Sequence, residues 1–386
     1  MAVSDSRARR LWAAIVVLVA GFTVAPVLLS HDVYSYVDYA RLGVVHGLDP
    51  YVYPPAAAPF DPAYARVTWI DATSAYGPLF TLATYPLAWL PVWWAVAALK
   101  ATAALSVLAI ALLVARAAPA RGVSPLGAAA FIALNPLVLI HVVGSAHNDG
   151  LAMLTATVGI AAMLTSREAT AGAAFVAAFT IKAPAAIAAP FALVATTRFP
   201  TSRRRKGVNS GIAARIRHSP HQSGVDVGYA VTRRERAPLL AGAALSRFLL
   251  GAVAAAAALG LAAHAAFGWS WLDALDLAGE NQSRTTHMSV PITLTRLTGL
   301  DPTAVRAVAL ALFAIAFAYL LVRTWRGADW LRNAAWASFA LLLATAWLLP
   351  WYLIWALPLV ALSRDRPLQL LTLALTAYQL PARMPL

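Results

Sequence analysis

Along the chain, apolar residues form long runs of Ala, Leu and Val separated by short polar breaks, from Leu11 to Leu380. A run of about 20 such residues crosses the hydrocarbon core of a bilayer as a helix. Lipid cannot satisfy backbone polar groups, so only helices or a closed barrel can span it, and continuous runs lack the in-out alternation of a barrel strand. The pattern therefore predicts an all-α polytopic membrane protein. The predicted spans are 11–29, 78–90, 92–115, 126–143, 150–165, 170–197, 237–267, 303–323, 333–349, 351–363 and 367–380, about ten or eleven crossings within a single transmembrane domain, 1–386.

Composition agrees: 61% of the 386 residues are apolar and only 12% are charged, and mean hydropathy is +0.69, outside the balance of soluble chains. There is no cysteine, which excludes a disulfide framework and a thiolate metal site. The net charge of +14 is concentrated: residues 198–236 hold ten Lys/Arg against Asp226 and Glu235, so this segment alone carries +8. It reads as a basic, disordered cytoplasmic loop resting on anionic membrane lipid, with no nucleic acid partner. Ser4 to Arg10 followed by apolar residues resembles a signal peptide, but no clear small-residue cleavage site precedes His31, so 11–29 reads as a retained first span.

The positive-inside rule places Arg7, Arg9, Arg10, segment 198–236, Arg323 to Arg332, Arg364 and Arg366 in the cytoplasm. Loops 30–77 and 268–302 then lie outside. Counting both 78–90 and 92–115 as full spans puts Arg116 and Arg121 outside, against the same rule. If 78–90 is instead a re-entrant half-helix, Lys182-Ala183-Pro184 sits at the tip of a broken hairpin within 170–197. Both readings return 198–236 to the cytoplasm.

The two outer loops contain nine of the sixteen carboxylates: Asp32, Asp38, Asp49, Asp61 and Asp71, then Asp273, Asp276, Glu280 and Asp301. Most need nothing beyond solvation. Asp32 differs, because it follows the first span at the apolar boundary, where a carboxylate is costly unless hydrated, paired or used, and where desolvation raises its basicity. Asp32 and Asp38 lie six apart and need not share a helical face. Lys182 inside an apolar stretch beside Pro184 calls for a cavity or an anionic partner. His147-Asn148-Asp149, between two apolar runs, suits sugar binding or a helix cap.

Several motifs, in order, resemble a family: Asp32-Val33-Tyr34-Ser35-Tyr36 with Tyr39-Ala40-Arg41, Gly47-Leu48-Asp49-Pro50-Tyr51, Tyr76-Gly77-Pro78-Leu79, Asn135-Pro136, His147-Asn148-Asp149-Gly150, Ile181-Lys182-Ala183-Pro184 and Pro350-Trp351-Tyr352. They resemble the GT-C membrane glycosyltransferases, and among those the actinobacterial polyprenol-phosphomannose-dependent α-(1→6)-mannosyltransferases. The resemblance implies a GT-C-like bundle in the cell membrane with its active site on the extracytoplasmic face and 30–77 as catalytic loop. It also implies an inverting transfer of a hexose, mannose by family, from a polyprenyl phosphate sugar donor to a glycan or glycolipid acceptor of the cell envelope. By position, Asp32 matches the family's catalytic base. Departures are Ala40 and Asp49, where Gly and Asn are expected, and a chain that ends soon after Leu380, with fewer terminal spans than the family usually has: a divergent member, a truncated one, or one with a changed acceptor.

Such chemistry needs a base, cations for the phosphate leaving group and an apolar groove. Arg284, His287 and Arg296 are the phosphate candidates, with Arg41 and Lys182 besides, His287 first by family position; Asp38, Tyr76, His147, Asn148 and Asp149 complete the candidate substrate contacts. Histidines are scattered and no metal site is visible, so no cofactor is expected; an oxygen-ligated divalent ion between outer-loop carboxylates stays open. The alternatives are a secondary transporter or flippase for lipid-linked glycan, with Lys182 at a midplane site, and a protein O-glycosyltransferase using the same donor class.

Overall fold

In the computed structural model, residues 2–197, 227–281 and 283–382 are described, and among them there is no β-strand. The fold is all-α. Of the basic segment, 198–226 lies outside the described residues, and the chain is helical from Val227.

Helices α1 (Ala2–Val24) and α2 (Asp32–Val44) lead into a long loop. Then follow α3 (Pro78–Thr84), α4 (Val92–Ala117) and α5 (Pro125–Ala133). After a π-helical turn over Val138–Val143 come α6 (Asp149–Leu164), α7 (Glu168–Ile181) and α8 (Ala189–Thr196). The next four are α9 (Val227–Phe267), α10 (Asp273–Asn281), α11 (Val290–Thr298) and α12 (Pro302–Trp325). The last three are α13 (Trp330–Ala344), α14 (Leu357–Leu362) and α15 (Arg366–Gln379). Ends are set locally: Ser124, Ser289, Asp301, Asp329 and Asp365 cap the N-termini of α5, α11, α12, α13 and α15 with their side chains.

Three helices are long and apolar enough to cross a membrane, by length and composition: Val92–Arg121, Gly242–Phe267 and Pro302–Trp325. The other predicted spans are shorter or broken. Segment 78–90 divides into α3, of 7 residues, and a 3-10 turn over Tyr85–Trp89; at about 1.5 Å per residue, α3 covers roughly a third of the core. Segment 170–197 divides too. Pro184 has no N–H and disfavours helical backbone at Ala183; α7 stops at Ile181, and Lys182 is extended (φ −159°, ψ 113°). The freed carbonyl of Ile181 accepts the Gly77 N–H at 3.1 Å, binding the first loop to the break.

Side-chain contacts sort the helix ends into two groups. At one end Arg121, beyond α4, pairs with Asp329 and donates to the Leu362 carbonyl, while Arg332 pairs with Asp365 at 2.7 Å and Arg247 with Glu168 at 3.0 Å. At the other, Lys182 meets Asp149 at 2.7 Å, Ser270 donates to Asp49 at 2.5 Å, and Thr286 N–H reaches the Ala346 carbonyl at 2.9 Å. The first group is the basic end and the second the loop-rich end. The irregular turns 138–143 and 350–355 are buried in protein, where broken backbone is tolerated in an apolar bundle.

Helices α7 and α9 approach closely through glycine. A Cβ at Gly172 would overlap the Phe248 carbonyl, and one at Gly251 the Ala169 carbonyl. Backbone cannot rotate aside as a side chain can. Gly251→Ala should therefore lower stability by about 1–3 kcal/mol, read as a lower thermal midpoint in detergent. Gly260→Ala, with nothing within 4 Å of its Cβ, should leave the midpoint level or raise it; equal effects at both positions would refute the close approach.

Candidate active site

The loop-rich end contains a cavity of about 190 Å³ lined by Asp32, Trp69, Tyr76, Lys182, Arg284 and an aromatic wall. Asp32 opens α2, where the unpaired N–H groups of the first turn favour a carboxylate. Its side chain is held on one oxygen by the Trp69 indole N–H at 3.2 Å, and His147 Nδ1 stands 3.8 Å from the other. One turn along α2, the Tyr36 hydroxyl lies 3.5 Å from the same nitrogen. The His147 ring stacks on Trp351 with centroids 3.6 Å apart.

Asp149 is fully buried and accepts from Lys182 Nζ at 2.7 Å and Trp355 Nε1 at 2.6 Å. Lys182 also lies over the rings of Tyr352 and Trp355, at 5.2 and 5.9 Å. Arg284 enters from the segment before α11, over Trp69 at 5.1 Å and Trp347 at 5.9 Å. The cavity wall thus combines one carboxylate, two cations and several aromatic rings.

Burial pushes the Asp32 carboxyl above its ordinary range, while the charge of Lys182 and the Trp69 hydrogen bond pull it part of the way back. A carboxylate so placed is a stronger base than one in water.

The other expected site residues fall into three groups. His147 and Asp149 stand behind the cavity wall in contact with its lining. Asn148 is buried beside them, and neither polar atom of its side chain has a partner in the structure. His287 and Arg296 bond to each other at 2.8 Å on exposed surface, and neither lines this cavity. Asp38 and Arg41 belong to a separate cluster: Arg41 donates through Nε to both oxygens of Asp61 at 2.9 Å, and His46 meets Asp61 at 2.8 Å. Burial opposes ionisation of Asp61, but these hydrogen bonds and one from the Ala63 N–H hold its carboxyl below the usual range.

Trp69, Trp347, Trp355 and Tyr36 were not among the expected contacts. Trp347, Trp351 and Trp355 recur every four residues, a visible signal for a shared aromatic surface. Nothing in the sequence links Trp69 to Asp32. Among the described residues, no group of three or more His, Asp or Glu could hold a metal ion.

Residues 1–198, just over half of the chain, match the family described as alpha-(1->6)-mannopyranosyltransferase, N-terminal domain. The chain belongs to this family. Among its relatives, alpha-(1->6)-mannopyranosyltransferase A of Mycobacterium tuberculosis is 30% identical over 367 residues, covering 88% of this chain and 63% of the relative. The protein of the same name from Corynebacterium glutamicum is 30% identical over 188 residues, 47% of this chain and 37% of that protein. The chain thus spans less than two thirds of the length of the curated relatives it matches. No solved structure matches it.

One carboxylate outside the family member's cavity has a testable cost. Asp38 is buried, and one of its oxygens has no hydrogen-bond partner in the structure. Burial, then the nearby charge of Asp61, push its carboxyl up from 3.8 to about 7, against the pull of His46 and Arg41. Between these values the folded chain binds more protons here than the unfolded chain, so stability falls as pH rises from about 4 to above 7. Asp38→Asn should flatten that fall and exceed wild type at pH 8 by on the order of 1–3 kcal/mol. Thermal midpoints at pH 5 and pH 8 check this; parallel profiles would show that Asp38 is not desolvated.

Proposed function

We propose that the chain is an inverting membrane hexosyltransferase of GT-C type, moving mannose from a polyprenyl phosphate donor to a hydroxyl of a cell-envelope glycan or glycolipid. The observation that carries this reading is Asp32 in one cavity wall with Lys182 and Arg284. That arrangement supplies a base for the acceptor hydroxyl and cations for the phosphate that leaves. The relatives' printed name, a mannopyranosyltransferase, supplies the sugar and the linkage.

On this reading Asp32 takes the proton as the acceptor oxygen attacks the anomeric carbon from the face opposite the phosphate. Negative charge grows on the phosphate as the glycosyl bond breaks, and Arg284 and Lys182 stabilise it. Attack from the opposite face converts a β-linked donor into an α-linkage. Asp149 keeps Lys182 oriented and the tryptophans offer flat faces to the sugar ring. His287 and Arg296 lie outside the cavity, so the phosphate role passes to Arg284 and Lys182.

The same reading orients the molecule. Arg116 and Arg121 at the end of α4 join Arg323, Arg326, Arg332, Arg364 and Arg366 at the basic end, which the positive-inside rule assigns to the cytoplasm. Loops 30–77 and 268–302 then face outward with the cavity, 198–236 lies in the cytoplasm, and the chain passes eleven times through the membrane as α1, α4, 125–147, α6, α7, 183–196, α9, α12, α13, 350–362 and α15.

Membranes carrying wild type at matched expression should transfer radiolabelled mannose from polyprenyl phosphate mannose into lipid or glycan fractions. Asp32→Asn should reduce transfer by about 10² or more, and Arg284→Gln should slow it less and raise the donor KM. Full activity in Asp32→Asn would remove the base assignment. No transfer by wild type would remove the donor.

A further inference from the structure

A second concavity, of about 980 Å³, lies on the other flank of α2, between the end of α1 and the start of α4. Asp32 and Tyr34 are two residues apart, yet Asp32 lines the first cavity and Tyr34 the second. Three cations line it, Arg41, Arg66 and Lys100, and no carboxylate does. Arg41 is committed to Asp61 at 2.9 Å. Arg66 lies 5.6 Å over the Tyr34 ring and, like Lys100, has no ion pair among the described residues.

Lys100 is only 4% exposed, and its ammonium donates to the carbonyls of Ala25 at 2.5 Å and Pro26 at 3.2 Å. Those carbonyls lie just past the end of α1, outside its hydrogen-bond ladder, and need a donor. Capping explains two of the three donors of Lys100. It does not explain a large concavity beside the lysine, nor a second cation on its wall. Most of the remaining lining is apolar: Trp89 is 74% and Trp93 62% exposed, and Ala97, also exposed, follows along α4.

Depth identifies the ligand class. The helix Val92–Arg121 has 30 residues, roughly 45 Å at 1.5 Å per residue, against about 30 Å of hydrocarbon. With the excess shared between its ends, Val92 stands in the headgroup layer and Lys100 just beneath its inner boundary. A soluble anion would have to leave water to arrive there. A lipid phosphate already lies at that level with its tail pointing inward.

We propose that this concavity seats the phosphate of an anionic membrane lipid, held by Lys100 and Arg66, with its hydrocarbon tail along Trp93 and Ala97. The bound lipid braces α2, the helix that begins with Asp32, from the side opposite the first cavity. The site stands apart from the proposed transferase chemistry, and binding can be read without any turnover.

The test is native mass spectrometry of the full chain in detergent, titrated with phosphatidylglycerol, phosphatidylcholine or inorganic phosphate. Wild type should retain one phosphatidylglycerol in preference to phosphatidylcholine, and inorganic phosphate should not displace it. Arg66→Gln, at an exposed position, should weaken retention severalfold, and Arg66→Gln with Lys100→Gln at least tenfold. Lys100→Arg keeps the charge and should retain the lipid, while Arg284→Gln should bind as wild type. Equal retention of both lipids, unchanged retention in Arg66→Gln, or displacement by inorganic phosphate would each overturn the proposal.

Discussion

The buried pair of Asp149 and Lys182 is the constraint on which the rest of the site depends. Asp149 is 0% exposed, and a charge so placed is tolerable only when its lone pairs are met. The partners come from two other places in the chain: the ammonium at the break after α7 and the indole of Trp355. Three segments that would otherwise slide as apolar rods are thereby fixed in register. Removing Lys182 would leave Asp149 with the Trp355 indole alone, and losing one partner of a buried pair costs more than the pair contributes.

From that pair the geometry propagates outward. The turn holding Trp355 also holds Trp351, whose ring supports His147, and His147 stands beside Asp32. The break that exposes Lys182 also frees the Ile181 carbonyl for Gly77. A Cβ at Gly77 would overlap the Thr180 carbonyl, so the first loop can lie against the broken helix only with glycine at that position. Tyr76, next in the chain, is thereby set in the cavity wall, packed edge-on against Tyr36 at 4.8 Å. One proline, one glycine and one ion pair thus align the first loop with the bundle.

Much of this could be read in the chain. The apolar runs required helices, Pro184 after Lys182 marked a break, and a lone lysine in apolar surroundings called for the anion that Asp149 supplies. Two classes of fact could not be read. The first is pairing at long separation: Trp69 with Asp32, Arg41 with Asp61 and Arg121 with Asp329 join residues that no periodicity links. On the proposed orientation, the conflict between charge rule and hydropathy at Arg121 dissolves, because α3 is too short to span. The second is direction within a loop: Arg284, His287 and Arg296 are alike by composition, and only the packing of Thr286 under Ala346 and Leu348 turns Arg284 toward the aromatic wall and the other two toward each other.

The aromatic floor of the first cavity carries a consequence for selectivity. Flat rings pack against the C–H face of any hexose and discriminate weakly between epimers, whereas hydrogen-bonding groups reject a misplaced hydroxyl strongly. In this cavity the charged groups able to do so are Asp32, Lys182 and Arg284, the same three assigned to proton removal and phosphate stabilisation. On the proposed reading, discrimination by charge and rate therefore share their atoms. A lineage that altered its sugar on that reading would have to change either this machinery or the neutral hydroxyls beside it, those of Tyr76 and Tyr352.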